Sequence, residues 1–497
     1  MAVLPIAVAL IWVVTTRHYH QVVDVTVVGS GPNGLAAAVV CARAGLSVRV
    51  IEGQPTPGGG ARSAPDPEYP GILHDVCAAV HPLAFASPFF RDFGLADRIT
   101  LNVPEVSYAN PLPGRPAALA YRDFERTCAE LADGASWRWL LGPMVQRSEA
   151  AAAFVLGDKR SLPPDLVTSA RLALRMVTQG SPAWGLLRGE DARALFTGVA
   201  AHTISQMPSM TSSGLGMMLA VLAHSVGWPV PTGGSQAIPE ALIADLLAHG
   251  GEVVVGEEVT EPPQGVVLYD TPAKALLDIY GDRLPTRYAA RLRGLRTNPG
   301  VAKVDFVLSD EIPWRDSRLA STVMIHLGGE RARMVLAERE IASGRHAEWP
   351  MVLAASPHIA DPTRIDDHGR RPFWSYVHVP RDSPVDQTEA VIEIMERFAP
   401  GFRDIIVATR GVPASQLAEH NANLTGGDIT GGGNSAWRAL AGPTLRLNPW
   451  ATPIPGAYLC SAATPPNGGV HGMAGLYAAR TVLHREFGVK TLPSLAP

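Results

Sequence analysis

Hydrophobic positions along the chain fall into short runs that read as strands and longer stretches spaced as helices. Near the start, Asp24-Val25-Thr26-Val27-Val28 is a β-like run that passes directly into Gly29-Ser30-Gly31-Pro32-Asn33-Gly34. An alanine-rich helical stretch over 35–44 follows, and a second β-like run over 47–51 ends on Glu52. Midway, Ile238, Leu242, Ile243, Leu246 and Leu247 recur at helical spacing after Gly233-Gly234-Ser235-Gln236. That helix stops at Gly250-Gly251; strands over 252–255 and 265–269 come next, the second ending at Asp270-Thr271-Pro272. Near the C-terminus a strand over 457–461 leads through a glycine-proline loop into a helix over 470–487. Between these units the pattern predicts helices around 125–155, 165–178, 189–201 and 386–398, with strands at 301–308, 321–327, 350–355 and 373–379.

Strand–glycine–helix units thus occur at the beginning, middle and end, with material of another kind between them. The fold class this predicts is α/β: a Rossmann-like nucleotide domain, discontinuous in sequence, carrying an inserted α+β substrate domain. The expected boundaries are 22–80, 226–275 and 445–490 for the first, 81–225 and 276–444 for the second, and 1–21 as an N-terminal extension. At 497 residues the chain is long for one hydrophobic core, which fits two domains. No repeat of fixed period is visible.

The first unit is a dinucleotide-binding fingerprint in full context: strand, glycine turn, helix, strand, acidic residue. Gly29 permits the tight turn, Gly31 lets the backbone approach a pyrophosphate, and Gly34 lets the helix pack closely on the sheet. The helix start, with Pro32 and Asn33, offers free N–H groups and a positive dipole end to phosphates. Glu52 lies 18 residues past Gly34, placed to accept hydrogen bonds from ribose hydroxyls. Beyond it, Gly58-Gly59-Gly60-Ala61-Arg62-Ser63 reads either as a flexible turn or as a backbone approach to phosphate and ribitol, with Arg62 supplying a hydrogen-bond fork. The Gly233-Gly234-Ser235-Gln236 helix with Gly250-Gly251 and its strand reads either as a plain capped helix and turn or as a unit that places Val259, past the strand, to offer its backbone to an adenine ring. At the C-terminal end, Gly468-Gly469-Val470-His471-Gly472-Met473 brings a second helix start toward an electron-rich part of the cofactor.

Other motifs are less telling. His74-Asp75 and His81-Pro82 lack third and fourth partners at usable spacing, so no metal is expected; structural hydrogen bonding and an active-site role stay open for them. Gly426 to Gly433 is a glycine-rich loop, either cofactor-proximal or plain. There is no GxSxG elbow, Walker A sequence or HExxH. Net charge is −4, without a basic stripe, which excludes nucleic acid as an expected partner. The four cysteines, Cys41, Cys77, Cys128 and Cys460, form no CxxC, and a reducing cytosol is the expected compartment. Residues 1–14 are apolar but too short to span a bilayer, which leaves an extension, a packed element or a peripheral membrane contact as their readings.

Taken together, Gly29 to Gly34 with Glu52, the 59–63 cluster, the Gly233-Gly234-Ser235-Gln236 helix with its strand, and Tyr458-Leu459-Cys460-Ser461 with the 468–473 loop resemble the phytoene desaturase-like branch of FAD-dependent oxidoreductases, kin to amine oxidases. The resemblance spans 22–487. It implies non-covalent FAD, its adenine end over Gly29–Gly34 and Glu52, its middle along Gly59, Gly60, Ala61, Arg62 and Ser63, and its flavin end near Ser461, Gly468, Gly469, Val470, His471 and Met473. Where amine oxidases usually carry an acidic residue after the last strand, this chain has Cys460-Ser461, which favours the desaturase side. The implied function is hydride transfer from a C–H bond of a hydrophobic small molecule to the flavin. His471 is the candidate for tuning the flavin and His81 for proton handling. The alternatives are a flavin-dependent isomerase of a polyene, and a flavin-binding scaffold without turnover. Substrate identity and electron acceptor are not readable from the sequence.

Overall fold

A computed structural model of the chain describes residues 22–432 and 436–497. The predicted extension 1–21 and Gly433 of the 426–433 loop lie outside the described residues. In chain order, the elements that matter for the site are strand β1 (Val25–Val28), helix α1 (Pro32–Arg43), β2 (Val48–Glu52), β3 (Val106–Leu112), β4 (Arg115–Tyr121), α2 (Gly134–Val145), α3 (Leu166–Gln179), α4 (Glu190–Ala200) and α5 (Met210–Ala223). They continue with α6 (Ala237–Ala248), β5 (Glu252–Val255), β6 (Val266–Tyr269), β7 (Gly300–Leu308), β8 (Met324–His326), α7 (Arg331–Ala342), β9 (Val352–Ala355), β10 (Arg371–Val379), α8 (Thr388–Phe398), β11 (Ile406–Val412), β12 (Ala457–Leu459) and α9 (Met473–Glu486).

The expected α/β fold is the one observed. β12-β6-β1-β2-β5 form a parallel five-stranded sheet. β1 is buried along its whole length, as a central parallel strand covered on both faces must be. α1 packs on this sheet against α6 and α9, and its Leu35 to Ala42 run is buried throughout. The alanines let the three helices approach closely, and the missing volume is made up by Ile238, Leu242, Val482 and Leu483.

A second, seven-stranded sheet runs β11-β7-β10-β9-β8-β3-β4, antiparallel except where β8 meets β3. Its two faces have different chemistry because side chains alternate along each strand. Phe306, Phe373 and Val377 pack on α8 through Val391, Met395 and Phe398. On the other face, Trp374, Tyr376, Leu353 and Met351 share one cluster with Leu195, Phe196 and Val199 of α4 and Met217 of α5.

Several boundaries differ from the sequence expectation. The stretch around 125–155 is three helices, Phe124–Glu130, α2 and Ser148–Val155, the first two starting on Asp123 and Asp133 side-chain caps. The β3–β4 hairpin carries no regular alternation of apolar and polar positions in its sequence, and each strand contains a proline. The final helix begins at Met473 rather than 470, since Gly472 ahead of it sits at φ +67° and interrupts the helical path. β11 escaped notice because Ala408, Thr409, Arg410 and Gly411 give an edge strand no hydrophobic rhythm.

One buried ion pair ties the two sheets together. The ribbon Ser63–Pro65 and Leu73–Asp75 follows the glycine cluster and ends on Asp75. The Asp75 carboxylate accepts from Ser63 Oγ (2.6 Å), Ser235 N (2.9 Å) and Arg364 Nη1 (2.6 Å), and both charged side chains are almost wholly buried. Burial opposes the Asp75 charge, but Arg364, Ser63 and Ser235 together hold its carboxyl below the ordinary range. Arg364 also donates to Asp361, whose carboxylate accepts from Gly233 N (2.8 Å). The turn between β9 and β10 is thereby fastened to the start of α6.

Replacing Arg364 with Met leaves the Asp75 charge buried and unpaired, so Arg364→Met is expected to lower unfolding stability by about 3–5 kcal/mol, read as a shift of the urea midpoint at unchanged slope. Because the folded carboxyl titrates below its unfolded value, the stability it provides is present above the unfolded pKa and lost as pH falls through the folded one. The deficit of the variant should therefore shrink in acid.

Candidate functional site

The glycine turn after β1 has no room for side chains. Gly29 sits at φ +96°, and its N–H donates to Ile51 O (2.8 Å), which sets the turn against the end of β2. A Cβ on Gly31 would lie 2.5 Å from Asp270 Oδ2, and one on Gly34 would lie 2.3 Å from Gly29 O. α1 therefore starts flush against the sheet edge, with Pro32 at its first position and Asn33 buried beside it. α9 crosses at the same point: a Cβ on Gly475 would lie 1.9 Å from Asn33 O. Two helix N-termini thus converge on one place.

Glu52 closes this place from the side. Its Oε2 accepts from Ser30 N (2.9 Å) and Ser30 Oγ (2.6 Å), and its Oε1 from Gln54 N (2.9 Å). Ser30 Oγ in turn accepts from Gly58 N (3.0 Å), which brings the glycine cluster onto the turn. A Cβ on Gly59 would come within 2.8 Å of Gly31 Cα, and Gly60 stands against Cys77. Ala61 is fully buried. The Arg62 guanidinium is buried with neutral partners: Gly59 O (3.1 Å), Thr56 Oγ1 (3.1 Å) and the His420 carbonyl. Burial pushes its pKa down, and the Glu52 and Cys77 charges act the other way.

Asp270, at the end of β6, is the residue here that sequence reasoning passed over. Its Oδ2 accepts from Gly34 N (2.9 Å), and it also takes the Gly31 N–H. Burial raises its pKa to about 7; the Gly34 amide lowers it, Glu52 raises it, and the Gly31 amide lowers it. Cys460, just past β12, feels the same carboxylate, and its thiol is raised well above its ordinary value by burial first and Asp270 second. The available signal was the acidic residue ending the fourth strand of the sheet, where the glycine turn passes.

At the C-terminal loop, Ser461 is buried, its Oγ accepting from Ala463 N (3.3 Å). Gly468 faces Thr430 O, and Gly469 and Gly472 pass against Leu83 and Phe89. Val470 is partly buried beside them. The His471 ring is spent within its own loop: Nδ1 accepts from Met473 N (3.1 Å), so Nε2 donates to Asn467 O (2.8 Å). Burial lowers its pKa to about 4, with the Asn467 carbonyl opposing. His81 is also buried, its Nε2 2.7 Å from Ser235 Oγ in the Asp75 network, its pKa lowered to about 4 mainly by burial. Both imidazoles are neutral at pH 7 and tied to backbone-organising partners. Val259 packs with the cluster around Tyr269 and Ile279. The 426–432 segment lies against the same C-terminal loop, a Cβ on Gly431 meeting Ala462 at 2.8 Å.

From Cys77 the site continues onto the second sheet. Lys303 and Asp305 stand two apart on β7 and pair at 2.6 Å, and His74 reaches toward Asp66 (3.3 Å) and Asp305 (3.6 Å). These groups, with Arg410 and His420, line a cavity of about 90 Å³. The sheet register then carries Trp374, Tyr376 and His378 along one face of β10, stacked at 5.6 and 5.9 Å. His378 hydrogen-bonds the Glu338 carboxylate of α7, and His326 meets His202 at 3.0 Å and Asn110 at 3.4 Å. Burial lowers the pKa of His202 to about 3, and His326 is lowered well below its usual value for the same reason, each further depressed by His378. Tyr108 Oη, Asn110 Nδ2, Trp374 Nε1, His378 Nε2 and Glu338 Oε2 are buried and have no hydrogen-bond partner among the described residues. The alternation Trp-Ser-Tyr-Val-His over 374–378 was the legible sign of this wall.

The donor set fits a dinucleotide. A buried cation with only neutral partners beside two helix N-termini suits a diphosphate, Glu52 at the end of β2 suits ribose hydroxyls, and the glycines leave backbone where a Cβ would intrude. Buried Asn33 Oδ1, Gln236 Oε1 and Asn467 Oδ1, each without a partner among the described residues, border the same loops. No group of three His, Cys, Asp or Glu side chains among the described residues is placed to hold a metal, and the four cysteines are unpaired.

Comparison with known proteins agrees with this geometry. Residues 27–93 match the NAD(P)-binding Rossmann-like domain family. The chain is 26% identical over 328 residues to pyridine nucleotide-disulfide oxidoreductase domain-containing protein 2 of Rattus norvegicus, covering 56% of each chain. A 47-residue stretch, 10% of each chain, is 53% identical to hydroxyneurosporene desaturase of Rhodobacter capsulatus. The chain thus spans about half, or less, of the length of the curated relatives it matches. The structure of an oxidoreductase from Methanosarcina mazei shares the fold at a TM-score of 0.57 and 14% identity, over 93% of this chain and 100% of that one.

Two outcomes are expected from this geometry. Gly31→Val places a side chain on the Asp270 carboxylate and should abolish dinucleotide binding, while Arg62→Met, which keeps the volume, should weaken it on the order of tenfold or more; equilibrium titration with FAD and with NAD reads both. Asp270 is raised from 3.8 to about 7, so its protonated form stabilises the fold below pH 4, and that contribution is lost as pH rises toward 7. Compared with Asp270→Asn, the wild type should lose thermal midpoint between pH 5 and pH 8 by roughly a few °C, with Glu52, Cys460 and the Gly31 and Gly34 amides facing the group in both proteins.

Proposed function

We propose that the chain is an FAD-dependent oxidoreductase of desaturase-like type. Glu52 would hold the adenosine ribose, the α1 N-terminus with Gly29 to Gly34 and Arg62 the diphosphate, and the loop Ser461 to Met473 the ring end. When bound, FAD supplies a two-electron acceptor for a hydride leaving a substrate C–H bond. The observation that carries the reading is the continuity of the site: Gly60 of the cradle stands against Cys77, which packs on the cluster holding Trp374 and Tyr376 of the second sheet. The desaturase and oxidoreductase names of the two relatives agree with it.

The wall also speaks for a class of substrate. Trp374, Tyr376 and Tyr108 present flat apolar surface, which suits an apolar molecule. The unpartnered atoms on the same wall are donors at Asn110, Trp374 and Tyr108 and an acceptor at Glu338, which suits a hydroxyl or carbonyl on that molecule. His202 and His326 remain neutral near pH 7 and can hydrogen-bond without bringing charge into the wall. The protein's part is to bind, orient and exclude water; the accompanying proton leaves to solvent or a base.

The test is optical. Purified protein, supplied with FAD, should show a flavin spectrum that bleaches anaerobically with a subset of apolar alcohols, ketones or polyenes. A colourless protein after FAD addition removes the reading. Asn110→Leu should lower kcat/KM about tenfold for bleaching substrates that carry oxygen, through a lost hydrogen bond of about 1–2 kcal/mol, and leave hydrocarbons unaffected.

A further inference from the structure

Helix α3 is amphipathic the wrong way round for a helix at the edge of a folded chain. At 100° per residue, Leu166, Val167, Ala170, Leu174 and Val177 share one face, and that face points outward. Leu166, Val167, Leu174 and Val177 are all more than half exposed, while Thr168, Ser169, Leu172 and Gln179 are buried beneath them. The neighbourhood extends the patch. Leu162, just ahead of the helix, is 87% exposed, and Leu186, in the turn packed on the helix, is 60% exposed. Trp139 of α2 is half exposed, and Arg175 lies over its ring at 3.3 Å. Trp139 and Leu186 also line a cavity of about 200 Å³ with Leu140 and Leu187, and buried Gln179 Oε1, without a partner among the described residues, borders it.

Contiguous apolar surface of this kind marks an interaction site. Charge decides the partner. Residues 159–188 contain five basic residues against one acid, Asp165, in a chain whose net charge is −4. Arg160 is paired with Asp158 (2.7 Å) and the Lys159 ammonium donates to the Val155 carbonyl (2.9 Å), which leaves Arg171 and Arg175 as the cations of α3 itself. Asp165 is spent as the N-cap of α3, accepting from Thr168 N (2.9 Å). Arg171 flanks the apolar face and has no carboxylate within ion-pair distance among the described residues. Two copies meeting through this face would bring their arginines together, which disfavours a dimer. An anionic lipid surface accepts both features at once: aliphatic side chains into the acyl boundary, guanidinium groups onto phosphate. No helix among the described residues is long and apolar enough to cross a membrane, so contact by this face would lie in the interface plane.

We propose that α3, with Leu162, Leu186 and Trp139, is a docking surface for an anionic lipid bilayer, separate from the dinucleotide cradle and independent of the turnover proposed above. The 200 Å³ recess gives a short run of methylenes an apolar place beside the helix.

The experiment is flotation of the full chain with vesicles of phosphatidylcholine containing phosphatidylglycerol, beside vesicles of phosphatidylcholine alone. The wild type is expected to float with the anionic vesicles at low salt and to be released several-fold as salt is raised. The L166S/L174S/V177S variant should lose tenfold or more of the bound fraction while unfolding at the wild-type temperature, since these side chains already face water. R171E/R175E, which keeps the apolar face, should lose binding to the anionic vesicles and provides the test if the triple variant does not fold. Undiminished flotation of either folded variant overturns the proposal. So does a wild type that fails to float and instead forms a concentration-dependent dimer dissolved by the triple substitution.

Discussion

The structure depends on one steric constraint: the first turn of α1 passes where nothing larger than hydrogen fits. Gly34 lies against the Gly29 carbonyl, Gly31 against the Asp270 carboxylate, and Gly475 of α9 against Asn33, each at distances a Cβ would violate. Close approach places the positive end of α1 at the sheet edge and brings α9 to the same spot from 440 residues further along the chain. In the parallel order β12-β6-β1-β2-β5, β6 pairs with β1 and β12 with β6, in the register that delivers Asp270 and Cys460 to the turn. The amides presented at this point belong to the backbone, so their placement depends on the glycines.

The second sheet is held to this cradle by charge, not by bulk hydrophobic contact alone. Asp75 and Arg364, wholly buried and 289 positions apart, join the ribbon after the glycine cluster to the turn between β9 and β10. Ser235 and Gly233 bring the start of α6 into the same network. A buried pair of this kind adds little net stability over well-packed apolar residues, because desolvation offsets the attraction. What it does fix is geometry: with Asp75 satisfied by Ser63, Ser235 and Arg364 from three different segments, only one relative placement of the wall and the cradle leaves no charge unpaired.

Much of the cradle was legible in the sequence because its demands are local. Glycines at 29, 31 and 34 and an acid at 52 are set by the covalent path of one strand–turn–helix–strand unit, and the later glycine clusters repeat the same logic. The α/β class followed from three such units. The wall was less legible. Lys303 and Asp305, or Trp374, Tyr376 and His378, alternate along their strands, but a strand does not say which face meets a cofactor until its neighbours are placed. Asp75 and Arg364 carry no local mark of their pairing with each other. The sequence marks His81 and His471 as histidines beside the cofactor segments but not their partners, which are a serine for one and backbone for the other, with burial keeping each neutral.

The electrostatics of the cradle explain why a carboxylate can sit where a diphosphate is expected. Asp270 occupies the amides of Gly31 and Gly34, so in the absence of a ligand the helix end is not left unsatisfied. Its charge is weakly held, since burial and Glu52 both favour the proton, and near neutral pH the protonated form is readily populated. Negative charge added at the turn acts in the same sense as Glu52 and favours the proton on Asp270. Arg62 complements this, being a cation whose present partners are all neutral oxygens and whose buried charge gains most from an incoming anion. The two residues therefore act in the same direction, one giving up a negative charge and the other awaiting one, and the glycine turn lies between them.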